Sequence, residues 1–228
     1  PNFFINADPE ALQNLNIGAV AGGAQDVDAV EDNFTPPTEV KANFGFDIEL
    51  DFLAGSTFSV ELDQAWVTEG IAYSHLNLGT PTGNGLGGRD LFFADIDAAS
   101  GDRANADANF DDVLLLRNTG KGHRTNLSAS LRNNWSGAFG RLGVVAAYTR
   151  TDADDVNSGT SSRAISNWNN RAVLNPNDDI VATANYEIKN RWTFRLDYTK
   201  DFFGFGNTIF SLFFEHRSGR PFSWVFDN

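Results

Sequence analysis

The sequence contains no cysteine and no methionine. Without cysteine there is neither a disulfide framework nor a thiolate metal site. No stretch approaches the ~18 consecutive apolar residues of a membrane-spanning helix. That excludes a helical membrane protein but leaves spanning strands open, because these carry apolar residues only at every second position. Pro1-Asn2-Phe3-Phe4 is not a charged-then-apolar leader. With methionine also lacking, the expectation is a segment cut from a longer protein, with more chain on both sides. Basic residues are few, 17 Lys and Arg against 30 Asp and Glu, giving a formal net charge of -13. Such acidity repels nucleic-acid phosphates and anionic bilayer surfaces, so nucleic acid is not an expected partner.

Aromatic residues, by contrast, are abundant. They make up 13% of the chain, with 20 Phe, yet the mean hydropathy is -0.31. Apolar and polar residues must therefore be interleaved. From Val40, the set Val40, Ala42, Phe44, Phe46, Ile48, Leu50 alternates with Lys41, Asn43, Gly45, Asp47, Glu49, Asp51, which is the period of a strand and not of a helix. After Leu53-Ala54-Gly55-Ser56 turns the chain, Phe58, Val60 and Leu62 begin a second strand running towards Leu78. A third is expected over about 112–133, ending in a turn at Asn133-Asn134-Trp135-Ser136-Gly137, and a fourth through Leu142, Val144, Ala146 and Tyr148. Asp179 to Ile188 alternates well enough to read as a strand extending above a membrane. The fifth carries Trp192, Phe194, Leu196 and Tyr198, and the sixth, after Phe203-Gly204-Phe205-Gly206-Asn207, carries Phe210, Leu212 and Phe214.

Short turns and long polar segments thus alternate strictly, as the short periplasmic turns and long external loops of outer-membrane barrels do. The expected fold is all-β: an antiparallel transmembrane β-barrel segment of about six long strands, the whole chain being partial barrel. Residues 1–38, 79–111 and 152–188 are expected as external loops. Trp66, Tyr73, Trp135, Tyr148, Trp192, Tyr198 and Phe202 are expected as interfacial girdles. Six strands leave two open edges, which hydrocarbon does not tolerate.

Four local motifs are more specific than the alternation: Asn118-Thr119-Gly120-Lys121-Gly122, Ser161-Ser162-Arg163-Ala164-Ile165-Ser166-Asn167-Trp168, Asn175-Pro176-Asn177, and Phe213-Phe214-Glu215-His216-Arg217-Ser218-Gly219-Arg220-Pro221-Phe222-Ser223-Trp224. In this order they resemble the late barrel region of Oar-like TonB-dependent receptors, well over residues 110–226 and loosely before them. Gly88-Arg89-Asp90-Leu91 is similar to a degenerate form of a Gly-Arg loop of that family. The resemblance implies a 22-stranded outer-membrane barrel occluded by an amino-terminal plug. Such a barrel imports substrate with energy from an inner-membrane TonB complex. The sequence departs from the family pattern in showing no plug, no TonB box and no terminal aromatic.

Gly83-Asn84-Gly85-Leu86-Gly87-Gly88 matches a dinucleotide fingerprint in form alone, since no amphipathic helix follows it. A loop is expected there, and no cofactor. Asp95, Asp97, Asp102, Asp107, Asp111 and Asp112 cluster in one external segment, and Asp152, Asp154, Asp155 and Asn157 in the next. Such carboxylate density suits Ca²⁺, with Asp95, Asp97 and Asp102 the candidate ligands. The stretch nonetheless lacks the glycine position and closing Glu of an EF-hand, and a solvated, self-repelling acidic loop is the favoured reading over Ca²⁺. His75, His123 and His216 have no metal-ligand spacing and no nearby serine nucleophile, so an enzyme is not expected.

The functional expectation is an outer-membrane receptor importing a bulky external ligand, with outer-membrane lipid, the rest of its barrel, a plug and the TonB complex as partners. The rival from another class is a surface-exposed structural or adhesive β-protein without transport.

Overall fold

A computed structural model describes residues 24–93 and 103–224. Six long strands meander in sequence order through one sheet. Eleven strands are distinguished among the described residues. β1 is Gln25–Val30, β2 is Thr38–Leu50, and β3 is Ser56–His75. β4 (Gly83–Asn84) and β5 (Asp90–Leu91) form a minimal hairpin, and β6 (Phe110–Thr119) and β7 (Gly122–Gly137) follow it. β8 is Gly140–Asp155, β9 is Ala182–Thr183, β10 is Asn190–Lys200, and β11 is Thr208–Arg217. One short helix, α1 (Ala164–Asn169), interrupts the connection from β8 to β10.

The alternation from Val40 produces β2 because its pairing with β3 places like with like. Val40 lies opposite Trp66, Phe44 opposite Leu62, Phe46 opposite Val60 and Ile48 opposite Phe58. The match continues across the sheet. Phe58 faces Leu131 and Leu62 faces Leu127; Leu131 faces Ala146 and Trp135 faces Leu142. Val144 faces Leu196 and Ala146 faces Phe194, and these face Leu212 and Phe214. A one-residue slip in any pair would send a whole strand's apolar set to the other side, so each register is tightly specified.

The opposite face is polar and largely self-paired. Asn43 donates to Glu61 (2.7 Å) and to Asp63, Ser59 donates to Asp47, and Thr151 donates to Asn126 (2.9 Å). Ser211 donates to Asp197 (2.7 Å), and Arg191 pairs with Glu215 (2.8 Å). One polar pair interrupts the apolar face, and it is satisfied internally: Thr125 donates to Gln64.

Nothing among the described residues covers the apolar face. Phe44 is 68% exposed, Leu212 and Phe214 are each 57% and Trp192 is 53%. The buried apolar set includes Leu114, Ala72, Val156, Trp168 and Ala184, and it lies at one end of the sheet under the long connections. Covering a sheet face with a second layer is how a soluble β-domain makes its core. Here the core sits beyond the apolar band instead, where β3 and β6 meet the long connections.

The connections segregate by length. Residues 51–55, 138–139 and 201–207 close the sheet at one end; residues 76–109 and 156–189 emerge at the other. The first short turn is held by Asn133, whose amide donates to the carbonyls of Leu53 (3.3 Å) and Ala54 (3.0 Å) and to Ser56 Oγ (2.7 Å).

Several boundaries differ from the sequence expectation. The third strand is not unbroken over 112–133: it starts at Phe110 and pauses at Gly120-Lys121, giving β6 and β7, which keep a single register against β3. The turn expected at Asn133–Gly137 is part of β7; the reversal is Ala138-Phe139 alone, because Gly137 still pairs with Gly140. Asp179–Ile188 yields only the two residues of β9. There the Glu187 carboxylate accepts from the Ala153 amide (2.8 Å), taking the place of a backbone ladder partner. The segment 1–38, expected as loop, contributes β1, which pairs parallel to β6 in an otherwise antiparallel sheet. Tyr73 sits not at a girdle height but opposite Leu116, in the extension of β3 beyond the apolar band.

Gly140 supplies a test of the closest turn. Its φ is +114°, and a Cβ there would lie 2.6 Å from the Thr199 carbonyl oxygen. Gly140→Ala should destabilise the full-length protein by about 1–3 kcal/mol, read as a lowered denaturant midpoint. Gly204→Ala, with φ +76° but open space around the added carbon, should cost less. Equal costs would contradict the close approach of β8 and β10.

Candidate functional site

Above the apolar band, β3 and β6 run on as an extension that β1 widens to three strands, and both long connections fold onto it. The carbonyl and amide groups of irregular chain need partners, and asparagines supply many of them. Asn77 donates to the carbonyls of Asp107 (3.0 Å) and Phe110 (2.7 Å) and accepts from the Asp107 amide (2.8 Å), closing the first connection on itself. Asn167 donates to the Ser161 carbonyl (2.7 Å) and accepts from the Ser161 amide (2.9 Å).

The second connection docks on the last residue of β3. Asn177 accepts from the His75 amide (2.8 Å) and from Trp168 Nε1 (3.1 Å), and donates to the His75 carbonyl (3.0 Å). The Asn175 side chain accepts from the Asn177 amide (3.1 Å), a turn that Pro176 suits and that aims Asn177 at the strand end. Arg117 on β6 forks onto both oxygens of Asp179, one at 3.1 Å, and Lys121 donates to the Asp179 carbonyl (3.0 Å). Burial is the largest single influence and would raise the Asp179 carboxyl, but the hydrogen bonds of Arg117 and Thr119, with the charges of Arg117 and Lys121, together outweigh it and hold it below the usual carboxylate range. Three motifs separated along the sequence therefore meet at one place: Asn118–Gly122, Ser161–Trp168 and Asn175–Asn177.

His75 lies at the centre of this dock and is 1% exposed. Its ring packs against Trp168 at 4.9 Å, and Arg103 covers the same indole at 5.1 Å. Arg103 also pairs with Asp112 and approaches His75 Nε2 at 2.8 Å, while Asp112 lies 3.2 Å from that nitrogen. A guanidinium can only donate and a carboxylate can only accept, so the two neighbours of Nε2 favour opposite tautomers of the neutral ring. Nδ1 is buried without a partner among the described residues. Burial, and secondarily Arg103, push the His75 pKa below the ordinary histidine value against the opposing pull of Asp112.

Beside this dock lies a cavity of about 520 Å³, walled by Asp155, Val156, Ser158, Arg171 and Ile180 with several asparagines. Burial raises the Asp155 carboxyl, partly offset by the Ser158 hydroxyl that donates to it at 2.7 Å. Burial likewise lowers Arg171, whose guanidinium makes one hydrogen bond among the described residues, a long one of 3.5 Å to the Ile180 carbonyl.

The candidate calcium ligands Asp95, Asp97 and Asp102 lie outside the described residues. Within the described residues no three His, Asp or Glu side chains are grouped to hold a metal. The other acidic residues are spread among separate roles. Asp107 accepts from the Asn109 amide (2.9 Å), Asp111 from Asn105 (3.4 Å), and Asp154 pairs with His123 (2.9 Å). His75, His123 and His216 sit on different strands at the long-connection end, as expected. Gly83–Gly88 forms the β4–β5 hairpin with a single 3₁₀ turn and opens no α-helix. Residue patterns gave no hint of Arg103, Arg117 or Arg171; their roles depend on partners far away in sequence. No protein-family model, no curated protein and no solved structure matches this chain.

The His75 environment predicts a pH dependence. A histidine held neutral in the folded loop binds its proton more readily once the loop opens. The dock is therefore at full strength above the ordinary histidine pKa, near 6.5, and weakens as pH falls through that value towards the lowered one. Asp155 acts in the opposite sense, because its raised carboxyl favours the folded loop when protonated. The Trp168 contribution to fluorescence, taken as the difference from Trp168→Phe, should change on acidification in the wild type. In His75→Phe it should stay flat over the same range; identical titrations in the two would remove His75 from the dock.

Proposed function

We propose that this sheet is part of an outer-membrane β-barrel, with its apolar face against lipid and its long connections receiving an external ligand. The observation that carries the reading is the slant of the apolar band. The hydrogen-bonded row through Phe44, the centre of the band on β2, passes through Leu62, Leu127, Arg150 and Asn190 and reaches Ser218 beyond β11. The band on β11 is centred on Leu212 instead. A level apolar belt therefore requires strands tilted by about 40°: about six residues, roughly 20 Å, over strand spacings totalling roughly 24 Å. Membrane barrels tilt their strands by ~35–45°.

Other features agree. Val40 to Leu50 supplies the ~9–11 residues of a spanning strand. Trp66, Tyr148 and Trp192 flank the band on the long-connection side, the last two in contact at 4.4 Å. Trp135, Tyr198, Phe202 and Phe205 flank it on the other. No described helix is long and apolar enough to cross a membrane, a fact that has no bearing on strands. β2 pairs only with β3 and β11 only with β10 among the described residues, so a barrel needs further strands at both edges. The import assignment is finer: a TonB-dependent receptor with a plug and an energising inner-membrane complex. It draws on the resemblance of the loop motifs, and those motifs are the residues that build the loop dock.

Two experiments on the full-length protein test the reading. Arginine at Phe44, Leu196 or Leu212 should impair barrel assembly by about 2–4 kcal/mol for sites near mid-bilayer, seen as loss of the heat-modifiable band. Arginine at Asn43 or Thr193 should be mild; equal tolerance on both faces would reverse the assignment. Single cysteines at Leu86 and Thr160, in an otherwise cysteine-free protein, should react with a bulky impermeant maleimide on intact cells. Those at Gly55, Ala138 and Gly206 should react only after the outer membrane is permeabilised. Labelling of all five on intact cells would favour a surface-exposed β-protein without a membrane.

A further inference from the structure

The cavity beside the loop dock brings two opposite charges to its wall without joining them. Asp155 ends β8, and Arg171 follows α1. Each favours the other's ionised form, as Asp179 does more strongly for Arg171, yet Asp155 and Arg171 form no ion pair within 4.0 Å among the described residues. Both are part-buried, and a part-buried charge gains most from a partner that reaches it directly. The Asp155 carboxylate has one side-chain donor among the described residues, Ser158. The Arg171 guanidinium has five N–H groups and, among the described residues, a single long hydrogen bond. The side-chain amides of Asn170 and Asn185 also line the cavity, and neither has a side-chain partner among the described residues.

These groups discriminate between ligand classes. A phosphate or other strongly anionic group would meet Arg171 but be opposed by Asp155 and, nearby, Asp154 and Asp179. A simple cation would be opposed by Arg171. A neutral sugar would leave both charges unanswered, and among the described residues no aromatic ring lines the cavity for it to stack on. A zwitterion answers both charges at once. Val156, Ala172, Val173, Ile180 and Ala182 provide apolar wall for small side chains. The volume of about 520 Å³ falls in the ~300–1,000 Å³ range of small-ligand sites.

We propose that this cavity binds a short zwitterionic peptide, its α-ammonium against Asp155, its α-carboxylate against Arg171, and its peptide groups within reach of Asn170 and Asn185. The assignment rests on the receptor reading for its biological direction, while the binding itself needs only the folded loop.

The test is calorimetric titration of the detergent-solubilised full-length protein with trialanine, N-acetyl-trialanine and trialanine amide. Trialanine should bind, and blocking either end should weaken binding about tenfold or more, the scale of one charge-assisted hydrogen bond. In Asp155→Asn the acetyl group should no longer matter while amidation still does; in Arg171→Gln the dependence should be the reverse. Heat-modifiability on a gel is measured in parallel for each variant, so a loss of binding counts only where assembly is intact. Equal binding of free and blocked peptides, or no trialanine binding by a correctly assembled wild type, would overturn the assignment and leave the barrel reading standing. Selective binding by a protein that shows no heat-modifiable barrel would retain the cavity assignment and overturn the membrane one.

Discussion

An apolar sheet face must be covered, and the structure of this chain follows from an apolar face that none of the described residues covers. Six strands at about 4.8 Å spacing, with an apolar run such as Val40–Ile48 at about 3.3 Å per residue, present roughly 600 Å² in plan. A soluble monomer rarely shows an uninterrupted apolar patch larger than a few hundred Å². Every register in the sheet sustains this face, and Gln64 and Thr125, the polar pair within it, bond to each other. The opposite face carries Asn43, Glu61, Asp63, Asp197 and Glu215 in mutually hydrogen-bonded sets. Those bonds contribute little individually where water has access; their role is to make one face compatible with water and the other not.

The packed core obeys the same constraint from the other side. Because the strands cannot supply a covered layer, Leu114, Trp168, Ala72 and His75 are buried where β3 and β6 rise past the band and the long connections fold over them. That fold depends on amides and guanidinia more than on apolar contact. Asn177 satisfies both backbone groups of His75, and Arg117 holds Asp179 with two hydrogen bonds. A rigid dock at the end of a rigid sheet is a suitable frame for recognition. The Asp155–Arg171 cavity stands on that frame, one wall anchored to β8 and the other to the docked connection.

The strands were legible in the sequence and the loop architecture largely was not, for reasons of range. Val40–Leu50 announces β2 to within two residues because alternation is local and both faces are sharply distinguished. The pause at Gly120-Lys121 and the continuation of β7 to Gly137 depend on what β3 and β8 offer as partners, which no local pattern contains. β1 pairs with β6 across more than eighty residues, Gln25 against Phe110. Asn177 reaches His75 across 102 residues. Asp179–Ile188 alternates like a strand, but Glu187 and Ala184 spend their bonds on Ala153 and stop a ladder from forming. The motifs Ser161–Trp168 and Asn175–Asn177 stood out as unusual strings; that they form one dock with Arg117 and Lys121 required the fold. Asp155 was visible as one of many carboxylates, and only its neighbours distinguish it from the rest.

The central claim is that the face bearing Phe44 meets hydrocarbon while the face bearing Asn43 meets water. The most direct measurement is a nitroxide scan of the full-length protein in lipid vesicles, one label at a time from Val40 to Glu49. Collision rates are recorded with oxygen, which concentrates in lipid, and with a water-soluble nickel chelate. The account predicts a strict two-residue alternation, with oxygen favoured at Ala42, Phe44, Phe46 and Ile48 and the chelate at Lys41, Asn43, Asp47 and Glu49. Oxygen preference should peak near Phe44 on β2 and, in a companion scan, near Leu212 on β11, as the tilt requires. Alternation without any lipid-favoured phase, or high chelate access at every position, would contradict it.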